Sequence, residues 1–367
     1  MYFDLAPKAR REDLFDFDEE LRKLELMTEH GRLVLILAPR RYGKSSLLKV
    51  FLNERRHPFV FLDLRRVVLD YGRLSFRGLY EALSAELTKF IVRHRDLGER
   101  LVELMRGVRG VSILGSAVKF SWSRRDRVSL STVLGRINDL ALEFDDRVIV
   151  AFDELQEARM LVNLPYLLAY IYDNFKGITV IATGSEVGVV YDVLRLEDSE
   201  SPLYRRAIGE VRLRRLSREE SAEFLSEGFD QLSVSVSRSL IDEIIDHVDG
   251  IIGWLTYYGW SIAVQGERDL SRIREMASLQ AVEEVKRFLE RSRSRERYYH
   301  ILKAIALGLD RWSEVKGYLE AKEGMEIDDS TFNTLLKTLV KLGFVEKKDG
   351  GYLIADPLVA YAVRRKL

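Results

Sequence analysis

The chain has 367 residues, 47 % of them hydrophobic, which suits two or three domains with substantial apolar cores. Its 58 basic and 58 acidic residues cancel, which excludes a strong overall attraction to nucleic acid or to an anionic membrane. The absence of cysteine excludes disulfides, thiolate zinc sites and cysteine nucleophiles. The N-terminus has no secretory pattern, and the most apolar stretch, 251–264, is too short to span a bilayer, so we expect a cytoplasmic protein without a membrane partner.

The first predicted elements are a strand, a tight loop and a helix in residues 33–48, which read LVLILAPRRYGKSSLL. This order is typical of a phosphate-binding loop, because loop N–H groups, a helix N-terminus and the Lys44 ammonium point at one small volume. Ser45 would supply a hydroxyl ligand to a phosphate-bound Mg²⁺. An ordinary strand-to-helix turn is the alternative.

One position of this loop departs from the GxxxxGK[ST] consensus, since Ala38 stands where the first glycine is usual. Alanine tolerates positive φ poorly, so we expect the loop to be entered with negative φ, while Gly43 still lets the backbone approach a phosphate. Eight loop residues are assigned to nucleotide binding: Pro39, Arg40, Arg41, Tyr42, Gly43, Lys44, Ser45 and Ser46.

Short apolar runs alternate with amphipathic helical patterns across the first two hundred residues, which predicts a parallel sheet covered by helices on both faces. The second crossover is long, because helical patterns at 76–94 and 98–105 precede a segment, 110–123, that alternates like a β-hairpin. The predicted strands of the sheet are 33–37, 59–64, 148–152, 179–182 and 211–213.

The third predicted strand ends in two adjacent carboxylates, Asp153 and Glu154. Asp153 would lie beside the phosphate loop and hold Mg²⁺ through its water shell, and Glu154 would polarise an attacking water. A strand ending in Asp-Glu is common by itself. Its combination with a phosphate loop in one α/β pattern indicates nucleoside-triphosphate hydrolysis.

The fourth predicted strand ends in hydroxyls, at Thr183 and Ser185. Ligands bind at the carboxyl ends of strands in such sheets, so either hydroxyl is placed to hydrogen-bond the γ-phosphate or the lytic water. Capping of the following helix is the alternative role.

From residue 217 the strand pattern fades and helical patterns at 218–227, 236–248, 254–264 and 270–293 indicate a helical lid. The Arg-rich segment 291–297 marks the predicted boundary to a C-terminal module of three helices and a hairpin at 344–354, which together predict a winged helix. The predicted domains are an ATPase core at 1–215, a lid at 216–293 and a winged helix at 294–367.

In the C-terminal module, Asp328 or Asp329 is expected to cap a helix with two different faces. Residues 295–367 hold 13 basic and 11 acidic residues, far from a strongly basic DNA-binding domain, so both DNA and a protein stay open as partners. The apolar side comprises Phe332, Leu335, Leu336, Leu339 and Val340, and the other side, which could face a groove or phosphates, comprises Thr334, Lys337, Thr338 and Lys341, with Lys347 and Lys348 in the wing.

Eight motifs spread over the chain form a combined pattern: APRRYGKSSLL at 38–48, FLDLR at 61–65, VKFSW at 118–122, FDELQ at 152–156, TGSE at 183–186, SPLYRR at 201–206, LSREESAEFL at 216–225 and YLIADPL at 352–358. This pattern resembles the archaeal ATPase family, a branch of the P-loop NTPases related to the STAND and AAA+ groups. The resemblance implies an ATP-hydrolysing core with Gln156 beside the Mg²⁺ and water site. It also draws attention to Arg206, which would stabilise charge on the transferring phosphate in cis or across a subunit interface; a plain surface arginine is the alternative.

The chain departs from the family pattern at four positions. The family usually has glycine at Ala38 and Arg205, often has arginine at Phe17 in an N-terminal segment near the base, and has proline at Ile252 in a lid motif that approaches the nucleotide. These departures imply weak or regulated turnover.

The resulting prediction is an α/β protein with a parallel-sheet P-loop NTPase core, a helical lid and a C-terminal winged helix. It would bind ATP or ADP with Mg²⁺ and hydrolyse ATP, with lid closure passing a signal to the winged helix. The alternatives are a slow nucleotide-gated switch that recruits DNA or a protein, and a small-molecule kinase, which Glu154 favours less because it suits water activation.

Overall fold

The computed structural model describes residues 1–54, 57–121 and 128–365. In these residues nine strands form three sheets, of which the largest is a parallel sheet of five strands. The strands are β1 (Leu33–Leu37), β2 (Phe59–Asp63), β3 (Val111–Leu114), β4 (Ala117–Phe120), β5 (Val148–Asp153), β6 (Ile178–Gly184), β7 (Gly209–Arg212), β8 (Val345–Lys348) and β9 (Gly351–Ile354).

Helices flank the large sheet and build most of the remaining described chain, which confirms the predicted fold class. A 3₁₀-helix at Leu155–Met160 follows β5 directly. The α-helices are α1 (Asp18–His30), α2 (Lys44–Glu54), α3 (Leu64–Tyr71), α4 (Phe76–Arg93), α5 (Arg95–Met105), α6 (Leu130–Glu143), α7 (Leu164–Asn174), α8 (Val187–Leu194), α9 (Arg218–Asp230), α10 (Arg238–Val248), α11 (Ile252–Ala263), α12 (Leu270–Arg291), α13 (Arg295–Ala306), α14 (Trp312–Glu323), α15 (Asp329–Lys341) and α16 (Pro357–Arg365).

The strand order β2-β5-β6-β1-β7 brings the predicted site residues to one edge of the sheet. Strands β1, β5 and β6 are buried along their whole length, which is why their sequences are continuous apolar runs. Leu37 of β1 lies opposite Gly184 of β6, and Phe152 of β5 lies opposite Ala182. The carboxyl ends of these three strands therefore meet, where ligands bind in such sheets.

The predicted hairpin in the long second crossover is also present. Strands β3 and β4 pair antiparallel, with Leu114 opposite Ala117 at the turn. The last two residues of the predicted segment, Trp122 and Ser123, lie outside the described residues.

The C-terminal half has the predicted lid helices and the predicted winged helix, in which β8 and β9 form the wing. Asp328 caps α15 by accepting a hydrogen bond from the Thr331 N–H at 3.1 Å. The prediction was wrong for Val340, whose side chain is 38 % exposed and lies outside the apolar core of the module.

Helix α16 was not predicted, and it joins the module to the lid. It packs against α12 and α13, so apolar side chains of the lid and of the winged helix share one continuous core. The Arg-rich segment spans the end of α12, the short turn at 292–294 and the start of α13. Within the described residues, no helix is both long enough and apolar enough to cross a membrane.

Candidate active site

The loop between β1 and α2 curls around the Lys44 ammonium. Lys44 is only 4 % exposed, and its Nζ donates a hydrogen bond to the Pro39 carbonyl at 2.7 Å. As predicted, Ala38 does not have a positive φ; the left-handed positions are Arg41, at φ +67°, and Gly43, at φ +86°. A left-handed conformation costs a residue with a side chain about 1–2 kcal/mol, so contacts around Arg41 must maintain it.

Lys44 is electrostatically suited to an anion. Burial lowers the pKa of Lys44 to about 7, and the nearby carboxylate of Asp153 partly opposes that effect. A phosphate placed against this ammonium would restore its preference for the charged form. The loop therefore surrounds a lysine whose charged form is disfavoured by burial, as expected of a site that receives a polyanion.

Oxygen ligands for a divalent cation lie next to the loop. The Ser45 hydroxyl donates a hydrogen bond to Asp153 Oδ1 at 3.1 Å, and the Thr183 hydroxyl hydrogen-bonds the same carboxylate oxygen. Hydroxyl and carboxylate oxygens are the hard donors that Mg²⁺ prefers. Ser45 and Asp153 thus fit the predicted metal role, and Thr183 positions the Asp153 carboxylate.

Glu154 occupies a strained and buried position directly after β5. Its backbone is left-handed at φ +62°, its N–H donates to the Thr183 hydroxyl at 2.9 Å, and the residue is 3 % exposed. The Ser185 hydroxyl donates to Glu154 Oε2 at 2.9 Å, and the Gln156 amide also donates to that oxygen. The four predicted residues Glu154, Gln156, Thr183 and Ser185 therefore form one network with Asp153, and Glu186 rather than Ser185 is the N-cap of α8.

Arg65 is a member of this network whose role we did not predict. Its guanidinium forms an ion pair with the Glu154 carboxylate, although the Arg65 side chain is 55 % exposed. Arg65 belongs to the FLDLR motif at the end of β2, so the signal was present in the sequence. Only the strand order, which places β2 beside β5, shows what this arginine contacts.

A cavity of about 740 Å³ extends from the phosphate loop between the N-terminal segment and the lid. This volume lies within the range that drug-sized and cofactor ligands occupy. Charged and polar groups line part of the cavity, and its apolar and aromatic side chains, which are suited to stacking on a base, include Phe15, Phe17, Ile252, Trp254, Tyr257 and Trp260. Residues 4–8 also line this cavity, and no motif in the sequence predicted that position.

Two departures from the family pattern meet in this cavity. A Cβ added to Gly43 would lie 3.2 Å from the Phe17 ring and 3.8 Å from Ile252. Phe17 and Ile252 thus cover the phosphate loop at its glycine, one from the N-terminal segment and one from the lid.

The side chains of Arg40 and Ser46, which also line the cavity, have partners within the protein. Arg40 forms ion pairs with Glu284 of α12 at 2.7 Å and with Glu186 at 3.4 Å. The Ser46 hydroxyl accepts a hydrogen bond from the Lys8 N–H at 3.0 Å. A ligand contact from the backbone of these residues would leave their side-chain partners in place.

Arg206 lies outside this network. Its guanidinium makes two hydrogen bonds to Asp173 of α7, at 3.0 and 2.7 Å. Its contribution to phosphate chemistry stays a prediction.

Comparison with known proteins agrees with this geometry. The family of ATPase domains found predominantly in Archaea matches residues 14–257, and the family of MCM C-terminal winged helix-turn-helix domains matches residues 292–354. The solved Walker-type ATPase Paby2304 of Pyrococcus abyssi is 37 % identical, with a TM-score of 0.81, over 99 % of this chain and all of that chain. The ORC2 protein of Aeropyrum pernix is 15 % identical, with a TM-score of 0.56, over 99 % of this chain and 95 % of that chain, and so is similar in fold alone. A search of curated proteins gave no match.

The sheet, the phosphate loop and the acidic strand end define a Walker-type ATPase fold. The chain belongs to the family of ATPase domains found predominantly in Archaea, and its C-terminal domain is a winged helix. Membership of this family implies nucleotide binding.

Proposed function

We propose that this protein binds ATP with Mg²⁺ and hydrolyses it to ADP and phosphate. The observation that carries the proposal is the convergence of a buried lysine, a hydroxyl–carboxylate pair and a buried glutamate at one edge of the sheet. Lys44 and the loop N–H groups would hold the β- and γ-phosphates, and Ser45 and Asp153 would hold Mg²⁺. Bound there, Mg²⁺ would neutralise charge on the phosphates.

Glu154 is the residue proposed to activate water. Its carboxylate would accept a proton as a water oxygen bonds to the γ-phosphorus and the bond to the ADP oxygen breaks. Ser185 and Gln156 orient this carboxylate through their hydrogen bonds to it. The ion pair with Arg65 must be released or shifted before Glu154 can act as a base.

Phosphate release by the wild type and by Glu154→Gln tests this function. We expect Glu154→Gln to lower the rate by about 10²- to 10³-fold and to leave Mg-ATP affinity close to that of the wild type. Glu157→Gln, three residues further along, is the matched control and should hydrolyse ATP at the wild-type rate. If the wild type binds ATP without releasing phosphate, hydrolysis is excluded.

A second candidate is a switch that binds nucleotide and turns over slowly. The contacts of Glu154 with Arg65, Gln156 and Ser185 favour it, because they engage the carboxylate that hydrolysis requires. In that case Arg65→Ala should raise the rate of phosphate release. A rate that falls in Arg65→Ala would instead assign this arginine to catalysis.

We also propose that the lid conveys the state of the nucleotide to the winged helix. Lid residues contact the phosphate loop directly, since the Gly253 N–H donates to the Arg41 carbonyl at 2.9 Å. The basic side of α15 is the proposed surface for a DNA or protein partner. Lys341 forms an ion pair with Asp192 of α8, and Lys337 and Lys347 line a cleft of about 400 Å³ beside α8, so a partner would have to displace this contact.

A further inference from the structure

The phosphate loop, the lid and the C-terminal module meet at a single tryptophan. The Arg41 guanidinium carbon lies 3.9 Å from the centroid of the Trp254 ring, and Trp254 Nε1 donates a hydrogen bond to Asp356 Oδ2 at 2.8 Å. One indole therefore carries a cation on its face and a carboxylate at its N–H edge. Both interactions strengthen each other, because the carboxylate increases the electron density that attracts the cation.

The lid holds the backbone of Arg41 as well as its side chain. The Arg41 carbonyl accepts the Gly253 N–H at 2.9 Å, and a Cβ on Gly253 would lie 2.7 Å from Arg41 Cβ. Arg41 is the residue that adopts φ +67° within the loop. Since this angle decides where the following N–H groups point, the contacts of Arg41 maintain the phosphate cradle.

Asp356 is itself held in place, and it hydrogen-bonds the tryptophan that contacts Arg41. It lies in the YLIADPL motif between β9 and α16, and its Oδ1 accepts a hydrogen bond from the Leu358 N–H at 2.9 Å, at the start of α16. Helix α16 is in turn packed on the lid helix α12. The carboxylate is therefore fixed by the C-terminal module and by the lid together.

A second connection runs parallel to the first, one residue further along the loop. The Tyr42 hydroxyl accepts a hydrogen bond from Arg215 Nε at 2.8 Å, and Arg215 Nη2 donates to the Ala355 carbonyl at 2.7 Å. Consecutive loop residues 41 and 42 are thus connected to consecutive module residues 356 and 355. Two adjacent connections fix both the position and the orientation of the loop relative to the module, whereas a single contact would leave the orientation free.

We propose that Asp356 is a positioning residue of the nucleotide site. From the C-terminal module, through Trp254, it fixes Arg41 and holds the phosphate loop in its phosphate-binding conformation. The winged-helix domain is then a structural part of the nucleotide site as well as a receiver of its signal. This inference rests on the proposed binding of ATP at Lys44.

The test is a double-mutant cycle on the full chain, read as Mg-ATP affinity and as steady-state hydrolysis. Asp356→Asn removes the charge with little change of shape, and Trp254→Phe keeps a ring while removing the N–H. Each should weaken Mg-ATP binding by about three- to tenfold, with KM raised and kcat unchanged. Arg41→Met should weaken binding too, and the double variant with Asp356→Asn should bind no more weakly than Arg41→Met alone.

Asp349→Asn, in the turn of the wing, is the matched control and should behave as the wild type. The inference is overturned if Asp356→Asn binds Mg-ATP as the wild type does, or if its effect multiplies with that of Arg41→Met. If Asp356→Asn fails to fold in a thermal melt, Asp356→Ser, which keeps an oxygen for the Leu358 N–H and removes the carboxylate, decides with Arg41→Met by the same criteria. A Lys44→Ala variant that retains wild-type affinity would refute the proposed function and this inference together, whereas loss in Lys44→Ala without loss in Asp356→Asn would refute the inference alone.

Discussion

The phosphate loop has two sides that are built in different ways. On the proposed ligand side, Lys44 and Ser45 lie beside backbone N–H groups and the ends of β5 and β6. The opposite side comprises the contacts that hold the loop in place at the border of the same cavity: the side chains of Arg40 and Arg41 reach the lid, and Arg41 reaches the C-terminal module through Trp254. Under the proposed function, such a loop would bind a nucleotide and transmit the effect of binding to the lid and the C-terminal module.

The difference between the two sides predicts different consequences of mutation. Changes on the ligand side should abolish binding or chemistry and leave the fold intact, because a nucleotide or Mg²⁺ would contact those groups directly. Changes on the opposite side should alter stability and ligand affinity together, because those groups already have their partners. The following predictions separate the two sides, from the largest expected effect to the smallest.

Lys44→Ala should weaken Mg-ATP binding by about 100-fold, because it removes the charge-assisted contact to the phosphates. Equilibrium titration with a fluorescent ATP analogue measures this. Lys23→Ala, on the exposed surface of α1, is the control and should bind as the wild type. Equal affinity of the two variants would place the nucleotide elsewhere.

Gly253→Ala should lower the free energy of unfolding by about 1–3 kcal/mol, because its Cβ would lie 2.9 Å from the Arg41 carbonyl oxygen. Gly317→Ala is the control in α14, where an added Cβ would have no heavy atom of a neighbouring group within 4 Å. This substitution should raise the free energy of unfolding by about 0.5–1 kcal/mol. Urea unfolding of both variants provides the measurement. A Gly253→Ala variant as stable as Gly317→Ala would show that the lid does not hold the loop.

Ser45→Ala should raise the Mg²⁺ concentration needed for half-maximal hydrolysis by roughly tenfold, since it removes one oxygen ligand. Ser46→Ala is the control: the Ser46 hydroxyl accepts a hydrogen bond from the Lys8 N–H, and its removal should leave the Mg²⁺ dependence unchanged. Magnesium titrations of phosphate release compare the two. The reverse pattern would assign the metal to Ser46.

Nucleotide binding at pH 8.5 should be accompanied by uptake of up to one proton. Burial lowers the pKa of Lys44 to about 7, and a bound phosphate favours the protonated form. Calorimetric titrations in buffers of different ionisation enthalpy measure the uptake, which should vanish at pH 6 and in Lys44→Met. Uptake that persists in Lys44→Met would identify another group.

The same group gives the unliganded protein a pH-dependent stability. Between pH 7 and about 10 the unfolded chain binds more protons at Lys44 than the folded chain does. The contribution of Lys44 to the free energy of unfolding therefore rises with pH across this window. Urea unfolding of the wild type and of Lys44→Met from pH 7 to about 10 measures that contribution, since only the wild type should show the rise that comes from Lys44.

The ligand side of the loop was predictable because its residues follow consecutive strands. Parallel strands bring their carboxyl ends together, so Asp153, Thr183 and Ser185 could be placed beside Lys44 from the sequence pattern alone. The contacts among these residues depend on the strand order, which places β6 between β5 and β1. The strand order was also needed for Arg65, whose contact with Glu154 depends on β2 lying next to β5.

The opposite side of the loop was not predictable, because its contacts join residues that are far apart in the chain. Arg41 and Asp356 meet only after the lid and the module have packed on each other. No periodicity or motif spacing in the sequence predicts how the lid and the module pack on each other. The left-handed φ of Arg41 was not predicted for the same reason. A non-glycine residue adopts a left-handed φ only where contacts such as these maintain that conformation.

A crystal structure with a non-hydrolysable ATP analogue and Mg²⁺ tests the central claim most directly. It should show the β- and γ-phosphates against Lys44 and the loop N–H groups, with Mg²⁺ between the phosphates, Ser45 and Asp153. Phosphates bound away from this loop, or a metal ion that contacts neither Ser45 nor Asp153 directly or through water, would contradict the account.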